Sequence, residues 1–598
     1  MPTYKAPLRD FRFLLTEVFE ATTQYEKWGF PDASPDVVDA VLSEGAKFAE
    51  GVLAPLNEKA DEVGTKWKDT EVTTAPGFKE AYKQFIDGQW GSIGAKPEYG
   101  GQGLPESVEL AVNEMAHAAC MSFRMCPGLT LGAIHAIDAH GSAEQKQQYL
   151  PKLISGEWAG TMCLTEAHAG SDVGIITTQA KPNDDGTYTI NGGKIFISFG
   201  EHDLTPNIIH LVLARLPGAV KGPKGISLFV VPKFLVAEDG SLASEKNGVI
   251  CTSIEHKMGI KASPTCVLSF EDAKGYLIGP PHGGMAAMFT MMNYARIDVG
   301  QQGLAQGERA LQGAAAYTLD RLQMRAATGP KNPEKVADPI VAHADIRRML
   351  LTIKSLVEGS RALALFAATQ LDKKHSPDAD ERRKADDLLA FLIPIVKGFL
   401  TEAGFEAAHW GVQSFGGHGY IRESGMEQYM RDARITSIYE GTNTIQANDL
   451  LRRKVIGSGG ALLTLFLKEI DGVVSELKGS KELGYQASAL ERLRGEWEEL
   501  SLDIAKRSKE NPDEAAGAAF DYLMYAGYVA VGFFWARMSK VALASLGKSA
   551  SDDSFYRAKL QTAKFYFDRI LPRTATLAIT LRTSSQSLME IADDAFVL

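Results

Sequence analysis

Apolar residues recur at helical spacing over Pro35–Leu56, on Val37, Val38, Val41, Leu42, Ala46, Phe48, Ala49, Val52 and Leu53, and again over Val108–Phe123. A glycine-rich stretch, Gly94 to Gly103, marks a loop between them. Beyond residue 158 the period changes. Short runs rich in β-branched and aromatic residues follow one another: 160–166, 187–198, 207–216, 225–232 and 265–272. The Asn191-Gly192-Gly193 step, between two alternating runs, predicts a hairpin turn. No long amphipathic helix intervenes, so this stretch predicts an antiparallel β domain rather than a βαβ sheet. Helical periodicity returns from Gly284 to about Met324, from about Ile340 to Leu371 and from about Asp380 to Gln413. Helices of this length pack as a bundle. After the breaker Gly457-Ser458-Gly459-Gly460 the chain is helical again.

The expected fold is therefore mainly α with an inserted antiparallel β domain. Its expected divisions are a helical domain over 1–158, a β domain over 159–278, a helical bundle over 279–458 and a C-terminal helical domain over 459–598. A length of 598 residues allows this, at ~100–200 residues per domain. The most apolar run, Leu523–Ala536, is 14 residues long, short of the ~20 a membrane span requires. A buried helix is the expectation there. The N-terminus lacks the basic-then-apolar layout of a secretory signal.

Composition adds exclusions. The net charge is −11 and the C-terminal region is balanced in charge, which opposes nucleic acid as a partner because phosphate binding needs a basic surface. Five cysteines with no Cys-x-x-Cys spacing point to neither a disulfide framework nor a zinc site.

Four motifs carry candidate chemistry. Met162 to Gly174 leaves a strand and enters a small-residue turn with several hydroxyls, able to approach a flat ligand and bond its edge. In Lys194–Ser198, Phe196 and Ser198 stand two apart on one strand face, an aromatic beside a hydroxyl. Gln413 to Tyr420 holds closely spaced glycines whose N–H groups can approach phosphate oxygens. It follows a helix, so it is no Rossmann fingerprint. Taken singly, each is equally an ordinary turn, half-buried strand or helix cap. In Arg431–Gln446, Glu440 lies between Tyr439 and Gly441, ahead of a helix start at Thr442. An apolar wall from Ile438 and Tyr439 would disfavour its charge and make it a better base.

In order and spacing these segments, with His256–Thr265, resemble the acyl-CoA dehydrogenase family over roughly residues 35–456. The C-terminal extension resembles the large bacterial subgroup of about 600 residues, which includes long-chain acyl-CoA and 3-methylmercaptopropionyl-CoA dehydrogenases. The resemblance implies FAD as cofactor and dehydrogenation of an acyl-CoA thioester across its α,β bond, on a medium- to long-chain fatty acyl-CoA or on 3-methylmercaptopropionyl-CoA. Glu440 falls on the family's catalytic base. Members that carry the base before an arginine in the first helix after the β domain are not matched, because Ala295 precedes Arg296 here.

The resemblance places Met162, Leu164, Thr165, Ser171, Phe196 and Ser198 at the flavin. Phe196 replaces a more usual tryptophan. It places Arg321, Gln413, Gly416 and Gly417 at the pyrophosphate of a neighbouring subunit's FAD, and Thr442 and Thr444 at the adenosine and phosphates. Two partners of that interface differ: Met324 stands for a phenylalanine, and Ala344 follows His343 where a glutamine is usual. Ser171, Asn293, Arg296, Tyr439, Glu440 and Gly441 fall at the substrate. A cytoplasmic bacterial homodimer passing electrons to electron-transfer flavoprotein is implied, without stable membrane insertion. An acyl-CoA oxidase shares the fold and base. A DNA-damage-response relative of this fold would need a basic face, which the charge opposes.

Overall fold

The computed structural model describes residues 3–237 and 239–597. They form two compact units, one from Tyr4–Ala6 and Ala40–Asp298, the other from Pro7–Asp39 and Val299–Leu598.

In the first unit the periodic stretch from Pro35 becomes a helix, Pro35–Phe48, continued by a wider turn, Ala49–Leu53. The core helix is Glu106–His140, buried over most of its length and kinked at Cys120, whose φ and ψ are −156° and 89°. A two-stranded pairing, Lys66–Lys68 with Glu71–Thr73, lies in a stretch expected to be helical.

The β domain is a seven-stranded sheet. Asn207–Arg215 and Ile226–Pro232 are buried at nearly every position. They read as continuous apolar runs because both their faces are covered. Ile226–Pro232 pairs with both Asn207–Arg215 and Thr265–Ile278, so the pairings close into a ring around Ile190, Val212, Phe229, Leu268 and Phe270.

Two expectations need correction. The sheet is not wholly antiparallel: Trp158–Cys163 pairs parallel to Asn207–Arg215 along its whole length, and Gln179 adds a parallel bridge to Arg215. The chain leaves Trp158–Cys163, passes through a hairpin and returns in the same sense, which makes the pairing parallel. That hairpin also does not turn at Asn191-Gly192-Gly193. It turns at Asn183–Thr187, where Asp185 accepts bonds from the Thr187 N–H and hydroxyl. Asn191–Gly193 lies inside the strand Tyr188–Ser198, beside a register shift against Thr265–Ile278. Gly192 has φ 148°, and a Cβ there would stand 2.6 Å from Thr178 Oγ1. The glycine answers a close approach and a bulge rather than a turn.

In the second unit the long helices fall where the periodicity puts them: Gly284–Asp320 (which begins in the first unit), Ala344–Lys373 and Ala379–Ser414. The C-terminal region adds Ala461–Leu477, Gly484–Glu510 and Asp513–Ser545. The apolar run Leu523–Ala536 is buried within the last of these, and Trp535 Nε1 donates to the Ser355 carbonyl at 3.0 Å. Among the described residues one helix, Ala379–Ser414, is long and apolar enough to cross a membrane, and 83% of its apolar window is buried.

Candidate active site

In the second unit, the helix Met426–Thr436 ends and the chain reverses over 437–442 into the short helix Asn443–Asn448. Thr442 caps that helix, its hydroxyl accepting the Ile445 N–H, as its position before an apolar run predicts. The reversal is closed by the Asn443 N–H on the Ser437 carbonyl at 3.1 Å. Glu440 and Gly441 sit at its tip with φ 56° and 84°. Left-handed backbone suits the glycine. At a glutamate it costs about 1–3 kcal/mol and persists only where the surroundings over-determine it.

Here they do. Gln446, fully buried, donates to the carbonyls of Glu440 at 3.3 Å and Gly441 at 3.4 Å. A Cβ on Gly441 would meet that same amide at 2.7 Å. The Asn443 side chain is buried, accepts from Lys397 Nζ at 2.9 Å and donates to Thr401 and Glu402. The Tyr439 hydroxyl donates to Gln302 Oε1. Ile438, expected as part of an apolar wall, is instead exposed at 46%. What surrounds Glu440 in its own unit is therefore a polar brace on the backbone.

In the first unit, Leu164 and Thr165 end the strand Trp158–Cys163 and lie against Tyr188–Ser198: the Leu164 carbonyl accepts from Lys194 Nζ at 2.9 Å, and the Thr165 carbonyl from the Ile195 N–H at 2.9 Å. Ile195 and Phe196 together face the single residue Val267, a bulge. Phe196 is left-handed at φ 59° and 58% exposed, while Ile197 beside it is buried. The bulge re-aims Phe196 and presents its aromatic face outward. Thr165 and Ser198 are half-buried near it, and Met162 is the one position of its strand that is not buried. An exposed ring flanked by hydroxyls on adjoining strands is the donor set that a flat heteroaromatic with a polar edge requires, so these residues fit a flavin ring.

Close by, Glu166 is a different kind of glutamate. Its carboxylate accepts from Lys194 Nζ (2.9 Å), from the Thr177 N–H and hydroxyl (2.7 and 2.8 Å) and from the Thr178 N–H and hydroxyl (3.0 and 2.6 Å). Burial works to raise it, but the Lys194 ammonium and the Thr178 hydroxyl outweigh this and bring it down to about 2. Ser171 lies on the exposed turn that follows.

At the start of Gly284–Asp320, Asn293 is exposed and Arg296 is buried, its guanidinium 5.9 Å from the Phe289 ring centroid. Between them the Tyr294 hydroxyl donates to Glu109 at 2.8 Å. Burial pushes Glu109 up to about 7. Met288 and Met291 are buried in the core. Arg321, Gln413, Gly416 and Gly417 are all exposed, the last three at the end of Ala379–Ser414. Thr444 is exposed and Thr442 half-buried. Within the second unit, then, Tyr439, Glu440, Gly441 and Thr442 come together. Within the first, Leu164, Thr165, Phe196 and Ser198 do.

Sequence reasoning missed Gln302, Lys397, Gln446 and the Glu166–Lys194 pair. Gln302 and Lys397 lie more than 40 residues from the loop they hold, with no local signal. Asn443 and Gln446 stood inside a recognised motif and could have been read from it.

A helical layer, a β domain with an outward aromatic and a bundle that carries a braced glutamate define a flavin-dependent dehydrogenase. Family models confirm the class in chain order: acyl-CoA dehydrogenase N-terminal domain over 39–157, middle domain over 161–273, C-terminal domain over 282–455, and the acetyl-CoA dehydrogenase C-terminal-like domain over 466–592. The chain belongs to the acyl-CoA dehydrogenase family, whose cofactor is FAD. It is 42% identical to a 3-methylmercaptopropionyl-CoA dehydrogenase of Ruegeria pomeroyi, over 98% of this chain and 99% of the relative. It is 33% identical to a broad-specificity linear acyl-CoA dehydrogenase of Mycobacterium tuberculosis, over the full length of both. An acyl-CoA dehydrogenase from Bacillus anthracis complexed with FAD superposes with a TM-score of 0.75 over 95% of this chain and 91% of that one, at 20% identity, a likeness of fold.

Proposed function

We propose that this enzyme dehydrogenates a short acyl-CoA thioester, 3-methylmercaptopropionyl-CoA or a chain of similar length, with Glu440 as the base. The observation that carries the base is the braced left-handed turn: no other carboxylate among the motif residues has backbone strain held in place by a buried amide. Identity over nearly the whole chain to the Ruegeria pomeroyi enzyme favours the thioether substrate over the medium- to long-chain fatty acyl-CoA expected first. The Mycobacterium tuberculosis relative keeps linear acyl-CoA as the second reading.

In this mechanism Glu440 removes the α-proton of the thioester. The α C–H electron pair becomes the new C=C bond, and the β-hydrogen departs as hydride. FAD, when bound, supplies the acceptor for that hydride. Thr165, Phe196 and Ser198 would hold its ring, with Met162, Leu164 and Ser171 alongside, and Thr442 and Thr444 would serve the adenosine and phosphates. Arg321, Gln413, Gly416 and Gly417 of a second copy would hold the pyrophosphate, which makes the active form a homodimer. The Glu440 N–H donates to the thioester carbonyl, stabilising the negative charge that develops as the α-proton leaves. Gln446 and Asn443 fix the loop so that this donor and the carboxylate keep their positions. The reduced enzyme passes its electrons to electron-transfer flavoprotein in the cytoplasm.

Anaerobic mixing of the yellow protein with acyl-CoAs of graded length and with 3-methylmercaptopropionyl-CoA tests this. Fastest bleaching by the thioether substrate or by a four-carbon chain is expected. Fastest bleaching by chains of ten carbons or more returns the long-chain assignment, and no bleaching by any thioester removes the acyl-CoA reading.

A further inference from the structure

In the second unit the helix Gly284–Asp320 runs into a loop, 321–339, that has no helix or strand beyond one bridge, Leu322 to Pro339. Loops longer than about 12–15 residues with no element of their own are uncommon in a compact domain and are usually functional when ordered. This one has no apolar core: of its residues only Ala326 and Asp338 are buried. Its shape rests on the Asp338 carboxylate instead. One oxygen accepts the Ala326 N–H at 2.9 Å. The other accepts the N–H groups of Lys331 at 2.9 Å and Asn332 at 2.8 Å, with Arg325 Nη1 at 3.3 Å. These donors, the Ala326 N–H foremost, hold the carboxyl down to about 2 against the opposing effect of burial.

The main chain of the same residue ties the two ends of the loop together. The Asp338 N–H donates to the Met324 carbonyl at 2.9 Å, and the Asp338 carbonyl accepts the Gln323 N–H at 3.0 Å. The Ile340 N–H reaches the Arg321 carbonyl at 2.8 Å. The backbone from Arg321 to Met324 is thereby fixed, with Met324 left-handed at φ 60°. The two arginines of the loop are treated differently. Arg325 is used up inside it: besides Asp338, it donates to the carbonyls of Asn332 at 2.9 Å and of Lys335. Arg321 is exposed, and among the described residues its guanidinium has neither a hydrogen bond nor an ion pair. A carboxylate paired with Arg321 would compete with any external anion. Asp338 takes Arg325 instead.

We propose that Asp338 is a positioning residue for the cofactor: it folds the 321–339 loop and engages Arg325, and so presents Arg321, its guanidinium free, to the pyrophosphate of a second copy's FAD. This rests on the reading above that Arg321 serves that group. A guanidinium meets phosphate oxygens through a fixed fork of donors, so its worth depends on where its backbone is held. A loop ordered before the cofactor arrives also lowers the ordering cost of binding.

The test follows flavin fluorescence as the flavin-loaded protein is diluted, which gives the FAD dissociation constant without any acyl-CoA. Wild type, Arg321→Ala, Asp338→Ala and the double variant are compared. Arg321→Ala should weaken FAD about 10–100-fold, the worth of a hydrogen bond to a charged group. Asp338→Ala should weaken it by a comparable factor, and the double variant should match Arg321→Ala to within about twofold, because both changes remove one contact. If alanine prevents folding, Asp338→Asn replaces it: an amide keeps one acceptor oxygen and turns a donor on the remaining N–H groups, so FAD should again be weakened. Wild-type affinity in the Asp338 variants beside a weakened Arg321→Ala would overturn the proposal and leave Asp338 a feature of the loop's folding alone. Losses that multiply in the double variant would overturn it too, since Asp338 would then act independently of Arg321. Wild-type affinity in Arg321→Ala removes the role of Arg321 itself, and the proposal with it.

Discussion

Glu166 and Glu440 both stand in motifs that mark this family, one in each unit, and the protein holds them in opposite ways. Glu166 is buried among five donors, Lys194 included, which fill every lone pair a carboxylate has. It is a fixed negative charge that ties the turn after Cys163 to the strand Tyr188–Ser198. At Glu440 the investment goes into the main chain: a left-handed turn, a buried amide on its carbonyl and an anchored neighbour. A carboxylate meant to stay charged is surrounded by side-chain and backbone donors. The one proposed to exchange a proton has its backbone fixed as well.

The largest effect expected from breaking this contrast is on turnover. Glu440→Gln keeps the shape and the backbone brace but removes the proton acceptor. Single-turnover flavin reduction should fall about 10⁴-fold, the upper range for a lost general base, with flavin content and Tm unchanged. A loss under tenfold would move the base elsewhere. Glu166→Gln should do the reverse. It leaves Lys194 buried against a neutral partner, and breaking such a pair costs about 3–5 kcal/mol. The reduction rate per bound flavin should stay within a few-fold. Urea unfolding of the β domain beside stopped-flow reduction separates the two outcomes.

Glu166 and Glu109 contribute to the pH dependence of stability in opposite senses. Glu166 is depressed in the folded state, so its contribution is complete above the ordinary value near 4.5 and is lost as pH falls toward about 2. Glu109 is raised to about 7, so its contribution is complete below 4.5 and lost as pH rises through 7. Melting curves should show Tm rising between pH 2 and 4.5 and declining toward pH 8. Glu109→Gln should flatten the second limb alone, and an unchanged decline in that variant would assign it to another group.

The same pairs show what a sequence discloses. The long helices were legible because a 3.6-residue period over thirty positions has few competitors. The β domain was legible as strands, but its hairpin was misplaced. Asn191-Gly192-Gly193 and Asn183–Thr187 carry similar turn residues, and the strand pairings that place Gly192 against Thr178 and Phe270 put the turn at the second. Glu440 was singled out through its motif, and Asn443 and Gln446, which hold its backbone, lie in that same motif, while Gln302 and Lys397 come from helices far along the chain. Lys397 looks from sequence like any lysine on a helix, and no period or spacing announces that it lies fully buried on Asn443.

Asn443→Ala sharpens the comparison at the level of the brace. It removes an acceptor of a buried lysine, a loss of about 1–3 kcal/mol. Because the loop then samples other positions, kcat should fall more than tenfold while KM changes little. A pure stability role would lower Tm and leave kcat per folded enzyme intact, so measuring both decides which it is.

The smallest effect lies at Phe196, where strain and function are opposed within one residue. Phe196→Gly relieves the left-handed backbone and should stabilise the flavin-free protein by about 1 kcal/mol. The same change removes the outward ring, so flavin should dissociate faster and the gap in Tm between flavin-loaded and flavin-free protein should narrow. Phe196→Trp keeps an aromatic face and should retain the wild-type gap. If glycine weakens the flavin-free protein and leaves flavin retention untouched, the left-handed turn is a feature of the sheet. The exposed ring would then have no part in holding the cofactor.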